Sequence, residues 1–282
     1  MNYNTCRLLL DCLASIYEHT RNAEFEVIVV DNASSDGSES YVKGQFPEVV
    51  WVNAGSNLGF GRANNLGACW AKGKYVFLLN SDTLLLNNAI KEFYDYAESH
   101  VGEHIGVLGS WLLDKDGNLN NSCGEFPSPR SEIKYLLDKC KVVRMQDKHA
   151  GVADVDYITG ADMFISKDVY DEFGGFDPNI FMYYEETDLQ YRMAQKGYLR
   201  RIIDAPLIVH LEGGSFGGNR LTFNRFMMAQ KSYNYYLRKH YKGMTYFMFK
   251  MTLSIIRLTL FFTTNWSFVE KVRAYKIILK NG

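Results

Sequence analysis

Apolar positions along the first eighty residues switch between helical and strand spacing. Leu8, Leu9, Cys12, Leu13 and Ile16 share one face of a helix predicted over residues 5–18, with Asn4 or Thr5 as its cap. Phe25 to Val30 is a nearly continuous β-rich run ending in Asp31, the pattern of a strand buried on both faces. Asn32 to Ser38 is turn chemistry, and Ser35 or Asp36 is the expected cap of a short polar helix. Val49–Val52 reads as a second strand and Leu58–Lys72 as a helix stopped by Gly73. Tyr75–Leu79 reads as a third strand that ends abruptly at Asn80-Ser81-Asp82. This alternation predicts an α/β fold with a doubly wound, mostly parallel sheet flanked by helices. Such sheets take ligands beyond the carboxyl ends of their strands, where Asp31 and Asp82 both fall.

Residues 114–155 are irregular and polar, with Pro127 and Pro129, and read as a hairpin or flap. The pattern resumes with a strand from Tyr157 to Ile165, a helix over Lys167–Phe173, a Gly174-Gly175 break and a helix over Tyr184–Lys196. Strands at Tyr198–Ile203 and Leu207–His210 follow, and the remainder reads as helical. The expected organisation is one domain over 1–217 and a helical extension over 218–282.

Charge sharpens that division. From Gly218 onward there are twelve Lys/Arg and one acid, Glu270, an excess of +11 that leaves −12 on the preceding residues of a chain whose net charge is −1. The acidic part suits a metal, and the basic, aromatic part suits an anionic surface such as phospholipid headgroups. No nucleic-acid motif is present, so nucleic acid is not an expected partner. Met244–Thr263 is apolar but interrupted by Lys250 and Arg257. Each charge would cost ~2.5–3.5 kcal/mol at a bilayer centre, which favours helices lying on the membrane over a span; a helical cap packed on the domain fits equally well. The five cysteines, Cys6, Cys12, Cys69, Cys123 and Cys140, form no CxxC and read as free thiols of a reducing compartment. The polar opening residues are unlike a signal peptide, so the expected location is cytoplasmic, peripheral on the inner face of the membrane.

Several residues carry candidate chemistry. Asp82, at a strand tip, suits Mn2+ or Mg2+ and a diphosphate, though a turn cap explains it too. Asp31 can accept hydrogen bonds from a base or ribose. Asn57 to Asn65 contains Gly59 and Gly61 at a helix start, where backbone nitrogens can cradle phosphate and Arg62 and Asn64 can face a nucleotide; close helix packing explains the glycines equally. The third glycine of a dinucleotide fingerprint is absent, which argues against a dehydrogenase. Glu185, Glu186 and Asp188 form the densest acidic cluster, with Asp188 able to pair with Arg192. Either the helix dipole or a general base accounts for them. His210 follows a strand and precedes Glu212-Gly213-Gly214-Ser215, and with Asp82 would make a manganese site.

Together VDNASSDGS at 30–38, NLGFGRANNLG at 57–67, LLNSD at 78–82, the segment 158–198 and VHLEGGS at 209–215 resemble, in order, the family 2 glycosyltransferases of GT-A fold, in particular their rhamnosyltransferase-like branch. The resemblance covers roughly residues 1–220. It implies that Asp31 binds the nucleotide base and that Asp82 is the last residue of a reduced DxD motif with Asn80 in place of its first acid. It places Glu186 at the catalytic base, where aspartate is usual, so that Glu185, Glu186 and Asp188 all stay candidates. Tyr3 and Asn4 belong to a turn that the family's first apolar strand normally precedes; the resemblance therefore implies a strand ahead of Met1. The implied reaction is metal-dependent, inverting transfer of a sugar, rhamnose by resemblance, from a nucleotide-diphosphate donor to an acceptor hydroxyl on a glycan or lipid-linked glycan of surface polysaccharide. A sugar nucleotidyltransferase and a non-catalytic sugar-nucleotide-binding protein remain as alternatives.

Overall fold

The computed structural model describes residues 1–137, 151–211 and 222–280. In chain order its elements are α1 (Cys6–His19), β1 (Ile28–Asp31), α2 (Ser38–Gln45), β2 (Val50–Asn53), α3 (Phe60–Trp70), β3 (Tyr75–Leu79), β4 (Thr83–Leu85), α4 (Ala89–Ser99) and β5 (Ile105–Ser110). There follow β6 (Cys123–Gly124), α5 (Pro129–Leu137), β7 (Ala153–Asp154), β8 (Tyr157–Ile158), β9 (Asp162–Ser166), α6 (Lys167–Glu172), α7 (Glu185–Gln195), β10 (Leu199–Ile203) and β11 (Ile208–His210). The extension consists of α8 (Phe223–His240), α9 (Gly243–Arg257), α10 (Leu260–Thr263) and α11 (Phe268–Leu279).

The expected helix periods hold. Leu9, Cys12, Leu13 and Ile16 of α1 are buried, each large aliphatic one contributing about 1.5–3 kcal/mol when fully removed from water. The caps differ from expectation. Thr5 sits at the α1 N-cap but its hydroxyl donates to Asn2 and contacts Ser81; Asp36 Oδ2 accepts the Cys6 N–H instead, at 2.8 Å. Gly37, not Ser35 or Asp36, is the N-cap of α2, with a left-handed φ of 78°. A carboxylate one turn away in space replaces the local cap, which no local pattern encodes.

The sheet is mixed rather than mostly parallel. Its five-stranded body runs β3-β9-β5-β10-β7, with β10 parallel to β5, and β9 antiparallel to both β3 and β5. The chain leaves β5 at Ser110 and β9 begins at Asp162 beside that same strand end, where Asp162 accepts the Ser110 N–H at 2.7 Å. A return at the end just left must run antiparallel, because a parallel return needs a crossover to the opposite end. The single strand expected over 157–165 is broken by Thr159–Ala161, and the region read as irregular contains α5. Phe25–Val27 lies outside β1.

Among the described strands β1 pairs with β2, in parallel. Between β1 and β3 lies a cleft of about 770 Å3 whose walls include Val29, Val30, Val76, Leu78, Leu13 and Ala68. Met1 lines it, and Asn2 bridges in parallel to Asp31 through Asn2 N–H to Val30 O and Asn32 N–H to Asn2 O, both 2.8 Å.

The extension has its own core of Phe226, Tyr233, Tyr236, Leu237, Phe249 and Leu253, against which Tyr184 and Tyr191 pack. It therefore joins the body beside α7.

Candidate functional site

β4 and β11 pair antiparallel with His210 opposite Thr83. The pairing brings Asp82 beside His210 across 127 intervening residues, with Nε2 3.4 Å from Oδ1 and side chains 13% and 15% exposed. A carboxylate and an imidazole that close, neither sealed from solvent, fit Mn2+ or Mg2+ if the remaining ligands are phosphate oxygens and water. Among the described residues no third His, Cys, Asp or Glu joins them. Asn80 contributes backbone: its N–H donates to Ala161 O at 3.0 Å and its carbonyl accepts the Thr83 hydroxyl. Behind the pair is Asp162, fully buried; burial pushes its carboxyl up to about 7, against the bonds from Ser110 and the charge of His210. Glu212–Ser215, the glycine-rich segment read beside His210, lies outside the described residues, as does Cys140.

Asp31, buried at the end of β1, accepts from Asn2 Nδ2 at 2.9 Å and from the Ser34 N–H at 3.0 Å. Asn4, at a left-handed φ of 53°, accepts the Ser35 N–H at 2.8 Å and donates its own N–H to Ser34 Oγ. Residues 2–6 and 31–36 thus form one cross-linked loop pair, with half-buried Tyr3 between them. One hydrogen bond to each Asp31 oxygen leaves acceptor capacity for a ligand.

The glycines at 59 and 61 serve packing rather than a phosphate cradle. Gly59 has a φ of 81°, and a Cβ there would lie 2.1 Å from the Phe181 carbonyl oxygen. The first free N–H of α3, on Phe60, donates to that same carbonyl at 3.1 Å. Gly61 is tight against Phe176. The side chain of Asn32 accepts from Leu58 N–H and donates to Asn57 Oδ1, so Asn57 holds the loop. Asn64 bonds back to Phe60 O and lines the cleft between β1 and β3, while Arg62 is exposed. The helix start predicted to face a ligand instead fastens the 181–184 turn.

That turn leads into the acidic cluster and is strained. Tyr183 and Tyr184 have φ of 67° and 69°, a left-handed conformation that costs non-glycine residues about 1–3 kcal/mol each. Helix α8 holds it: Tyr184 stacks on Tyr233 with centroids 4.7 Å apart, Ser232 Oγ donates to Met182 O at 2.7 Å, and Arg225 Nε donates to the Tyr183 hydroxyl at 3.1 Å.

The three acids at the start of α7 have different surroundings. Asp188 is wholly buried and bonded to Arg192 Nε at 3.0 Å, Lys239 Nζ at 2.7 Å and His240 Nε2 at 2.7 Å. Burial pushes its carboxyl up, but the bonds from His240 and Lys239 and the charge of Arg192 more than reverse this, and it stays below the usual carboxylate range. An acid so engaged is an anchor, which corrects its candidacy as a base. Glu185 is 4% exposed, with its Cβ near where a Cβ on Gly61 would sit; burial first, and the neighbouring Glu186 second, push its carboxyl well up. Glu186 is half-buried on the side of Gly160, and burial raises it too. Lys239 and His240 escaped the sequence reading, while Asn2, Asn32 and Asp162 lay within motifs it singled out without being given a role. Nothing local marks Lys239 and His240, about fifty positions from their partner Asp188.

Comparison with known proteins follows this geometry. The sequence profile described as glycosyl transferase family 2 matches residues 1–152. The chain is 25% identical over 211 residues to the N-acetylglucosaminyl-diphospho-decaprenol L-rhamnosyltransferase of Mycobacterium tuberculosis, spanning 68% of each chain. It is 24% identical to the rhamnosyltransferase WbbL of Escherichia coli K12, over 72% of this chain and 76% of that one. Among solved structures, the mannosyltransferase PcManGT from Pyrobaculum calidifontis, in complex with GDP-Man and Mn2+, matches with a TM-score of 0.58 at 19% identity, over 97% of this chain and 71% of that one. At that identity the likeness shows the fold, which is GT-A.

Proposed function

The chain belongs to glycosyl transferase family 2, and on that premise we propose that it is a metal-dependent, inverting sugar transferase using a nucleotide-diphosphate donor. The juxtaposition of Asp82 and His210 carries this reading, since strand pairing delivers two oxygen- and nitrogen-donor groups to one sheet end. A divalent metal bound there supplies positive charge against the donor diphosphate. Asp31 and its cross-linked loop take the nucleotide, with Tyr3 and Asn4 at the same edge. The acceptor oxygen attacks the anomeric carbon and its proton passes to Glu186. The bond from that carbon to the diphosphate oxygen breaks, and the electron pair leaves with the nucleoside diphosphate. Burial raises both carboxyls, and Glu186, the less enclosed of the two, is the member open to an acceptor.

The donor sugar proposed is rhamnose and the acceptor a lipid-linked glycan; similarity to two rhamnosyltransferases, one named for a decaprenol diphosphate substrate, supports both. The organisation proposed is a transferase domain over 1–217 with a helical extension over 218–282, working in the cytoplasm against the inner membrane face. The test is nucleoside diphosphate release from a panel of sugar nucleotides with Mn2+ and membrane lipid extract, with and without chelator. Release that requires one donor, the metal, the extract and Glu186 is expected. Tight nucleotide binding with no release from any donor would instead leave a non-catalytic binding protein.

A further inference from the structure

Helix α9 is built the wrong way round for water. The 21-residue run Gly243–Thr263 is long enough to cross a bilayer, yet it carries Lys250 and Arg257. A solvent-facing helix turns charges outward and apolar residues inward. Here both cations turn inward. Lys250 Nζ donates to the carbonyls of Ile278 and Lys280, capping the end of α11, and the Arg257 guanidinium lies 5.8 Å from the centroid of the Phe226 ring. Phe249, Leu253 and Ile256 occupy the rest of the inner face, against α5, α8 and α11. The outer face is Met244, Phe247, Met248, Met251, Ile255 and Leu258, at spacings of three, four, seven, eleven and fourteen, each between 46% and 72% exposed. Phe262 at 89%, and Phe268 and Val269 at the start of α11, are exposed as well. A continuous apolar face of this kind marks a contact surface.

We propose that this face inserts into an anionic bilayer interface with α9 lying in the membrane plane. This deepens the peripheral location proposed above but rests on the helix face, not on the transfer chemistry. The cations that interrupt the run are spent on internal contacts, and one side of α9 is packed on protein, so the helix has no second face for a span. Charge selects the occupant. Residues 222–280 hold eleven Lys/Arg and one acid, Glu270, which is consumed in the α11 capping box with Ser267. Lys242 just ahead of α9, and Arg273, Lys276 and Lys280 on α11, are exposed. A second copy of the chain would set these cations against one another, whereas phosphatidylglycerol headgroups neutralise them, each basic residue near such a surface adding about 1 kcal/mol. Because α8 runs directly into α9 and clamps the strained turn before Glu185, the bound membrane lies at a set distance from the acidic cluster.

The test is flotation of the full chain with vesicles of phosphatidylcholine, with and without 30% phosphatidylglycerol. Binding is expected to the anionic vesicles and to weaken with salt. The triple variant Phe247→Ser, Met251→Ser, Ile255→Ser is expected to lower partitioning by about 100-fold, as removal of three inserted apolar side chains implies. Its melting temperature should not fall, since all three are exposed; Trp70→Ser, an exposed aromatic on α3, is the control that should bind like the parent. Wild-type protein left unbound by anionic vesicles would overturn the proposal, as would a triple variant that binds unchanged. A solution dimer dissolved by the triple variant would also overturn it, making the face an interface between copies. Nucleoside diphosphate release measured with detergent-solubilised lipid extract in place of vesicles separates the readings: turnover without vesicle binding sinks only the membrane face, and vesicle binding without turnover sinks only the transferase.

Discussion

Replacing Asp188 with asparagine separates the structural acid from the chemical one. Asp188 is 0% exposed and meets two cations, Arg192 and Lys239, and the imidazole of His240, at 3.0, 2.7 and 2.7 Å. Breaking a buried ion pair from one side costs about 3–5 kcal/mol because the partner charge is left behind. Here Lys239 retains Asp177 at 2.6 Å, and Arg192 retains the carbonyls of Phe173 and Gly175, so the low end, about 3 kcal/mol, is expected. For a chain of this size that is a fall in Tm of about 6–12 °C. The pH dependence checks the cause. The folded-state pKa of Asp188 is lowered, so its stabilisation is fully present above the unfolded value near 3.9 and is lost as pH falls through the folded one. The gap between wild type and Asp188→Asn, followed by urea unfolding, should therefore be full at neutral pH, begin to shrink only below about pH 4, and close as pH falls through the lower folded value. Glu186→Gln should behave in the opposite way: no loss of stability, because burial already disfavours its charge, and a fall in kcat of about 100- to 10,000-fold. An Asp188→Asn protein of unchanged stability with no turnover, beside an active Glu186→Gln, would refute the assignment.

Three further outcomes follow from the geometry. Asp82→Asn and His210→Ala should each raise the Mn2+ concentration for half-maximal activity while leaving nucleotide binding without metal unchanged, checked by titration calorimetry; unchanged metal dependence in both would remove the pair from the metal site. Gly59→Ala should lower Tm and activity together, since its Cβ would meet the Phe181 carbonyl at 2.1 Å and φ is 81°; a fully stable variant would show that the 181–184 turn is not held there. A run of about five alternating β-branched residues fused ahead of Met1 should raise Tm by filling the cleft between β1 and β3 in parallel register with β1, as Asn2 already bridges to Asp31. No change in Tm, with the added residues open to protease, would show that the cleft does not accept a strand.

Local periodicity was enough to locate α1, α3, β3, α7 and β10 to within about two residues, because amphipathic spacing and glycine stops act over one or two turns. The ordered motifs were enough for the family, and the residue types of Asp82 and His210 were enough to propose them as a pair, which β4 and β11 bring side by side. Tertiary structure alone decided the rest. The antiparallel insertion of β9 depends on where the chain returns after 111–161, a question of path rather than pattern. Gly59 and Gly61 read equally well as phosphate cradle or close packing, and the distinction rests on the carbonyl of Phe181, 122 residues beyond Gly59, and the side chain of Phe176 against Gly61. Glu185, Glu186 and Asp188 are nearly identical letters on one helix turn. What distinguishes them is which one lies within reach of Lys239 and His240, and the ionisation of a carboxylate depends on neighbours that long-range folding supplies.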